Sequence, residues 1–358
     1  MLSYFRWVLF FVALFVTLMG GALFLGHEIL VAEGPLDQAK HVVIPRGAGP
    51  ATMTKVLQDE GVVSHGKLFR LALMIDPAPK PIKAGEYEIP PHISMQALVD
   101  LLQSGKVVQR RLLVPEGMTT AEIVELVRKT EALAGEITLD LKEGDLLPET
   151  YFYSRDDTRD GLLSRMKEAM DKTLDEAWRK RAAGLPLANR REALVLASMI
   201  EKETAVPAER AKVAAVFVNR LRRKMRLESD PTVIYGVTAG KGPFNRELSR
   251  ADLQSTSPYN TYMVAGLPPA PICNPGRASI VAATNPARDR LLYFVADGQG
   301  GHAFALTVAE HNRNVERWRQ IQRERQEQQL QTPSAAPGAP PLPGPAPQPA
   351  PPPPPARR

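Results

Sequence analysis

The sequence is poorest in cysteine, with Cys273 alone among 358 residues. A single thiol cannot close an intramolecular disulfide, and no Cys/His spacing of the zinc-site kind accompanies it. The six histidines are scattered and none forms a His-Glu-x-x-His pair. No metal and no cofactor is therefore expected. Aromatic residues make up only 6% of the chain, and no long basic run carries them interleaved. Nucleic acid is accordingly not an expected partner. The net charge of +6 suits some other anionic surface or polymer.

Charge is missing from Trp7 to Gly26. About twenty helical residues at about 1.5 Å each cover roughly 30 Å, the thickness of a bilayer's hydrocarbon core. Arg6 and the terminal amine precede this run, Glu28 follows it, and the next basic residue is Lys40. The positive-inside rule keeps the N-terminus in the cytoplasm and exports the chain from Leu30 onward. A cleaved signal would have a shorter apolar region and a small-residue cleavage site, which is missing. Residues 1–30 are thus read as a retained single-pass anchor meeting lipid through residues 7–26. The remainder is expected in the periplasm or cell-wall space.

Proline is concentrated at the other end. Residues 331–358 hold 13 of the 33 prolines, with Pro351 to Pro355 unbroken. Such a segment buries no core and is expected to be disordered or extended.

The expected class is α+β. Between residues 40 and 146 the chain reads as small α/β units. Val42-Val43-Ile44 is a strand, Pro45-Arg46-Gly47 a turn, and Ala51 to Glu60 a helix that Gly61 stops. A helix over Lys67–Met74, a strand over Gly85–Ile89 and a helix over Met95–Gln103 follow, the last capped by Ser94. Strand, Pro-x-Gly and helix then recur at Leu112-Leu113-Val114, Pro115-Glu116-Gly117 and Thr120–Lys129. The recurrence is either a duplication or a good turn used twice.

Residues 147–325 carry the unusual motifs. In a helix over Arg191–Lys202, Ala193, Leu194, Val195, Leu196, Ala197, Met199 and Ile200 are apolar on every side, so the helix is buried all round. It runs into Glu201-Lys202-Glu203-Thr204, and Pro207 opens the next helix. Glu201 shares a stripe with Leu194, Ala197 and Ser198, while Glu203 lies some 200° round the helix, given about 100° per residue. Periodicity does not choose between these two carboxylates. A carboxyl group beside a core has a raised proton affinity, which general-acid cleavage of a glycosidic bond requires.

Further on, Asp230 reads as the N-cap of a short helix, with Thr232 and Tyr235 on one face. Ser257-Pro258-Tyr259-Asn260-Thr261-Tyr262 is a loop whose rings can pack on sugars while its polar groups bond hydroxyls. Gly266-Leu267-Pro268-Pro269 and Asn274-Pro275-Gly276 are turns able to form a rim. Tyr293–Val295 and His302–Phe304 are strands around a hairpin loop, with His302 structural. The cluster Arg220, Arg222, Arg223, Lys224 and Arg226 reads as a solvated face.

Together these motifs resemble the endolytic murein transglycosylases of the YceG/MltG type. The matching pieces are Leu196-Ala-Ser-Met-Ile-Glu-Lys-Glu-Thr204, Asp230-Pro-Thr-Val-Ile-Tyr-Gly236, Ser257-Pro-Tyr-Asn-Thr-Tyr262, Gly266-Leu-Pro-Pro269, Asn274-Pro-Gly276 and Tyr293-Phe-Val-Ala-Asp-Gly298. The resemblance implies that Glu201 is the catalytic acid and base. It implies LysM-like glycan-binding units over 40–146 and a catalytic domain over 147–325. The implied substrate is the glycan strand of peptidoglycan, cut internally between N-acetylmuramic acid and N-acetylglucosamine so that strand length is limited, and the implied partner is a cell-wall synthase. Glu203, Thr232, Tyr235, Ser257, Tyr259, Asn260, Tyr262 and Asn274 are the expected substrate-binding residues. A muramidase hydrolysing the same bond would need a second carboxylate, for which Glu203, Glu209 and Asp230 are candidates. A non-catalytic glycan-binding scaffold is the alternative from another class.

The topology is directly testable. A reporter active only in the cytoplasm, fused after Arg358, is expected to stay silent; strong signal would overturn the anchored, exported arrangement.

Overall fold

The computed structural model describes residues 2–75 and 80–331. The proline-rich tail beyond Gln331 lies outside the described residues. The chain divides into two compact units, residues 1–292 and the segment from Tyr293 onward.

Helix α1 (Leu2–Val31) is long and apolar enough to cross a membrane. Its phenylalanines and leucines are exposed along most of its length, and only its end, at Leu30, packs on the first core.

Strand β1 (Lys40–Ile44) begins that core, followed by α2 (Pro50–Asp59), α3 (Gly66–Ile75), β2 (Gly85–Ile89) and α4 (Met95–Gln103). The two strands pair antiparallel, Val42 opposite Tyr87. Alternate strand residues and one stripe of each helix bury Val42, Ile44, Leu57, Phe69, Tyr87 and Leu102 together. Ser94 caps α4, accepting from the Ala97 N–H at 3.2 Å.

A second unit repeats the plan with one helix fewer: β3 (Arg110–Leu113), α5 (Thr120–Lys129) and β4 (Thr150–Tyr153), then α6 (Arg159–Arg179). Strand β3 pairs antiparallel with β4. The Pro-x-Gly turn has one physical role in both units, since Gly47 (φ 73°) and Gly117 (φ 80°) occupy the left-handed region that admits glycine without strain. This second core runs from Leu112 to Met166. The expected boundary at residue 146/147 therefore falls inside a paired sheet, because β4 completes the unit from beyond it.

A helical layer follows: α7 (Arg190–Glu203), a 3₁₀ turn at Pro207–Glu209, α8 (Arg210–Arg222), α9 (Asp230–Thr238), α10 (Arg250–Leu253) and α11 (Arg277–Thr284). Helix α7 packs against α6, α8, α9 and α11, so no face of its middle is left for water. Small residues at the contact, Ala193, Ala197 and Ser198 on α7 and Ser279, Ala282 and Ala283 on α11, are all buried. In the basic cluster the structure corrects one residue. Arg220 is buried, donating to the carbonyls of Leu292 at 2.8 Å and Leu227 at 3.0 Å. The other members, Arg222, Arg223, Lys224 and Arg226, face solvent.

The segment from Tyr293 onward holds the hairpin β5 (Tyr293–Ala296) and β6 (His302–Ala305), then α12 (Val308–Gln331). Asp297 closes the hairpin turn, accepting from the N–H groups of Gln299 at 2.6 Å and Gly301 at 3.0 Å.

Glu86 on β2 joins the two strand–helix cores within residues 1–292. It is buried, and its carboxylate meets His41 at 2.8 Å, Arg110 at 2.7 Å and Arg155 at 3.1 Å. Burial pushes the carboxyl up, but the hydrogen bonds from His41, Arg110 and Arg155 outweigh it and hold the group at about 2. The depressed value makes this bond a stabilising one above the ordinary carboxylate range, lost as the pH falls from 4.5 toward about 2. Glu86→Gln is expected to lower stability at neutral pH by about 2 kcal/mol, allowing for the partly exposed partners. The gap from wild type should close in denaturant melts near the acid end of that window.

Candidate active site

Asn189 starts α7, its side chain accepting from the Glu192 N–H at 3.0 Å. Eight consecutive residues, Ala193 to Ile200, are then buried, as their composition predicts. Ser198 is the polar exception inside this run. Its hydroxyl donates to the Val195 carbonyl at 2.7 Å and accepts from the Ile272 N–H at 3.0 Å. The segment 272–276 is thereby docked along α7, with the Cys273 thiol on the Ser198 carbonyl.

One turn further on, the same stripe presents Glu201. Its side chain is 6% exposed. Oε2 accepts from the Gly276 N–H at 2.9 Å, and Oε1 lies 3.5 Å from Arg210 Nη2 on α8. The same guanidinium nitrogen donates to Glu116 Oε2 at 3.3 Å. Glu116 stands in the Pro115-Glu116-Gly117 turn, and Gly117 lies against the Glu201 and Lys202 side chains. A Cβ at Gly276 would overlap the Glu116 carboxyl and push that side chain aside, so glycine permits this close approach. Burial, and next the charge of Glu201, push the Glu116 carboxyl up, against the pull of Arg210.

Glu203 points to other neighbours: its carboxylate accepts from the Ser229 hydroxyl. Thus the two carboxylates that periodicity left level diverge, Glu201 toward 276 and Arg210, Glu203 toward the start of α9.

Three of the expected substrate-binding residues are fully buried. Thr232 bonds the Ser229 carbonyl at 2.6 Å and the Thr261 hydroxyl at 2.8 Å. Asn260 donates to the carbonyls of Leu253 at 3.0 Å and Ser255 at 2.9 Å and accepts from the Tyr262 N–H at 3.0 Å. Asn274 donates to the Met118 carbonyl at 3.0 Å and to Thr120 Oγ1 at 3.0 Å, and accepts from the Leu146 N–H at 2.9 Å. Their polar groups shape loops from within.

Tyr235, Ser257, Tyr259 and Tyr262 are half-buried. The rings of Tyr235 and Tyr259 lie 4.8 Å apart. Tyr235 donates its phenol to Glu143 Oε2 at 3.2 Å. Burial, and next the charge of Glu143, push that phenol up; burial likewise raises the Glu143 carboxyl. Ser257 turns its hydroxyl to the Tyr259 N–H at 3.3 Å, near Gly236. Tyr262 donates to Asp230 Oδ1 at 2.6 Å. That bond replaces the capping role expected for Asp230: Ser229 stands at the N-cap, and Asp230 is the first helical residue.

Glu116, Glu143 and Arg210 join the site without having been singled out in the sequence. Glu116 was the variable residue of a turn, Glu143 sat in an unpatterned loop, and Arg210 followed a proline expected only to open a helix. Loop 115–120 connects them, with Gly117 beside Glu201 and Thr120 donating to Glu143 Oε1 at 2.8 Å through its N–H.

The sequence model of the YceG-like family matches residues 42–317, a span that includes every one of these side chains. The chain belongs to the YceG-like family. An endolytic murein transglycosylase of Bacillus subtilis (strain 168) is 29% identical over 337 residues, covering 84% of this chain and 91% of that protein. Another, from Streptococcus pneumoniae serotype 2 (strain D39 / NCTC 7466), is 29% identical over 354 residues, covering 84% of this chain and 63% of its own length. A 2.6 Å crystal structure of a YceG-like protein from Listeria monocytogenes is 29% identical, covering 77% of this chain and 98% of that one with a TM-score of 0.49.

In this YceG-like chain Asn274 should behave as framework. Asn274→Ala strands buried donors and acceptors in three segments and is expected to lower stability by about 2–3 kcal/mol. Denaturant midpoints check it; an unchanged midpoint with only a raised KM would restore the substrate-binding role.

Proposed function

We propose that this chain is an endolytic murein transglycosylase that cuts the bond between N-acetylmuramic acid and N-acetylglucosamine inside peptidoglycan strands. The observation that carries the reading is Glu201, a nearly buried carboxyl with one oxygen on the Gly276 N–H and the other facing Arg210. Membership of a family whose curated relatives are named endolytic murein transglycosylases supports the substrate and the bond.

One carboxyl group suffices because the substrate supplies its own nucleophile. Protonated Glu201 gives its proton to the oxygen leaving toward N-acetylglucosamine. Positive charge develops at C1 of the muramic acid ring, where the acetamido oxygen of the same sugar stabilises it. Ionised Glu201 then takes the proton of the C6 hydroxyl as that oxygen bonds to C1. The ring closes as a 1,6-anhydro sugar, and Glu201 is protonated again. Intramolecular attack of this kind reaches effective molarities of about 10⁵ M in well-oriented cases, which favours it over water.

Glu203, Glu209 and Asp230, the candidates for a hydrolase's second carboxylate, are engaged by Ser229, Thr204 and Tyr262 respectively. This favours the transglycosylase over the muramidase. Tyr235, Tyr259, Ser257 and Tyr262 are the candidates for sugar contact, because part of each surface is open. The two strand–helix units, which begin within residues 40–146 and close with β4 at Thr150–Tyr153, serve as LysM-like glycan grips, a role their antiparallel strand pairs and Pro-x-Gly turns support. Helix α1 acts as the anchor, with the N-terminus inside, and holds the enzyme beside cell-wall synthases, where it limits strand length.

The full chain in detergent, incubated with uncross-linked glycan strands, should release fragments with 1,6-anhydromuramoyl ends, each lighter by one water than the hydrolytic product. Glu201→Gln should abolish release with a near wild-type melt, while Glu203→Gln should retain activity. Reducing muramic ends as the main product would establish a muramidase, and unchanged strands a binding scaffold.

A further inference from the structure

We infer that Glu116 and Arg210 are positioning residues for Glu201: one guanidinium is shared between two carboxylates and moves its allegiance to Glu201 as that group gives up its proton. The inference rests on Glu201 as the acid–base residue and adds to it a reason why that acid can cycle.

Three observations carry it. Arg210 Nη2 stands nearly midway, 3.3 Å from Glu116 Oε2 and 3.5 Å from Glu201 Oε1. Arg210 Nε is buried without a hydrogen-bond partner among the described residues, so the guanidinium has not closed a two-pronged pair with either carboxylate. Glycine at 276 leaves room for the Glu116 carboxyl that any larger residue would displace.

An arginine placed wholly on Glu201 would defeat the first step, because an adjacent cation favours the ionised form. A site without arginine would defeat the second, because the new carboxylate would be buried with one N–H for company. Sharing resolves the conflict. While Glu201 is protonated, Arg210 pairs with Glu116. As the proton leaves for the glycosidic oxygen, the guanidinium gains a second anion, an interaction stronger late in the step than early in it. When Glu201 recovers a proton from the C6 hydroxyl, Arg210 is returned to Glu116.

The remaining charged and titratable neighbours of Glu201 leave this pair in control. Lys202, on the same helix, directs its ammonium to the Gly117 carbonyl at 3.4 Å. Cys273, on the docked segment, is fully buried and its thiol is pushed far up by that burial, so it stays neutral.

The test is the pH dependence of kcat/KM for the full chain in detergent on glycan strands. Activity requires protonated Glu201, so the falling limb at high pH follows its proton affinity. Glu116→Gln removes the competing anion, delivers Arg210 to Glu201, and is expected to move that limb to lower pH by roughly half a unit, since Glu116 is partly exposed. Arg210→Gln removes the cation and should move the limb the other way by about one unit, with a lower kcat. Arg210→Lys keeps the charge, guards against misfolding, and should return the limb toward wild type. Opposite shifts support the inference. Limbs that stay in place in folded variants would overturn it and leave both residues merely structural. Activity surviving in Glu201→Gln would instead overturn the reading beneath it.

Discussion

The site depends on the docking of residues 272–276 between α7 and the loop at 115–120. Two buried polar groups hold that segment. Ser198 accepts from the Ile272 N–H on one side, and the Asn274 carboxamide bonds Met118, Thr120 and Leu146 on the other. Backbone bonds from Gly117 N–H to the Asn274 carbonyl at 3.0 Å, and from Asn274 N–H to Met118 at 2.8 Å, lock the same register. Buried hydrogen bonds are costly to break, because each lost partner strands a desolvated group. The register they impose is what aims the Gly276 N–H at Glu201 and brings Glu116 within reach of Arg210. A one-residue slip would remove both contacts while leaving the hydrophobic core of α7 untouched.

Helix geometry adds a second constraint. Glu201 lies in the last turn of α7, whose partial negative charge resists ionisation of a carboxyl there. The N–H it accepts belongs to Gly276, the N-cap of α11, where the partial charge is positive. Each effect amounts to about 0.3–1 kcal/mol at an exposed site, and they oppose one another. Nearby full charges therefore carry the balance, which is why the division of one guanidinium between two carboxylates matters more here than the dipoles.

Patterns repeated over many residues were legible in the sequence. The buried helix was readable because a run of eight residues with seven apolar, Ala193 to Ile200, leaves no solvated face, and the capped and glycine-stopped helices because their ends are written in local chemistry. The recurrence of Pro-x-Gly was readable too, and its cause is the left-handed backbone at Gly47 and Gly117. Single long-range contacts were not. Asp230 has the composition of a cap, yet its carboxylate takes the Tyr262 phenol 32 residues away. Arg220 sits in a run of cations, and only the fold reveals that carbonyls at 227 and 292 need its donors. Glu116 and Arg210 are 94 residues apart, and no local rule joins them.

The same limit explains the polar residues of the loops. Thr232, Asn260 and Asn274 have the composition of a sugar-binding surface, and composition does not distinguish a hydroxyl facing solvent from one facing a backbone carbonyl. Burial decides. A loop that must hold its shape beside Glu201 has to satisfy most of its own backbone groups, because buried N–H and C=O groups without partners are costly. Asn and Thr do so with short side chains that reach backbone groups from two residues away, as Asn260 does at Tyr262, to 156 away, as Asn274 does at Met118. The tyrosines differ: Tyr235 and Tyr262 fix their phenols on Glu143 and Asp230 while keeping part of each ring open. An anchored ring loses little further freedom when a sugar stacks on it, so the cost of ordering is met in folding rather than in binding. Under the proposed function the buried amides and hydroxyls set the shape of the site, and the partly open tyrosines are the surfaces offered to the sugar.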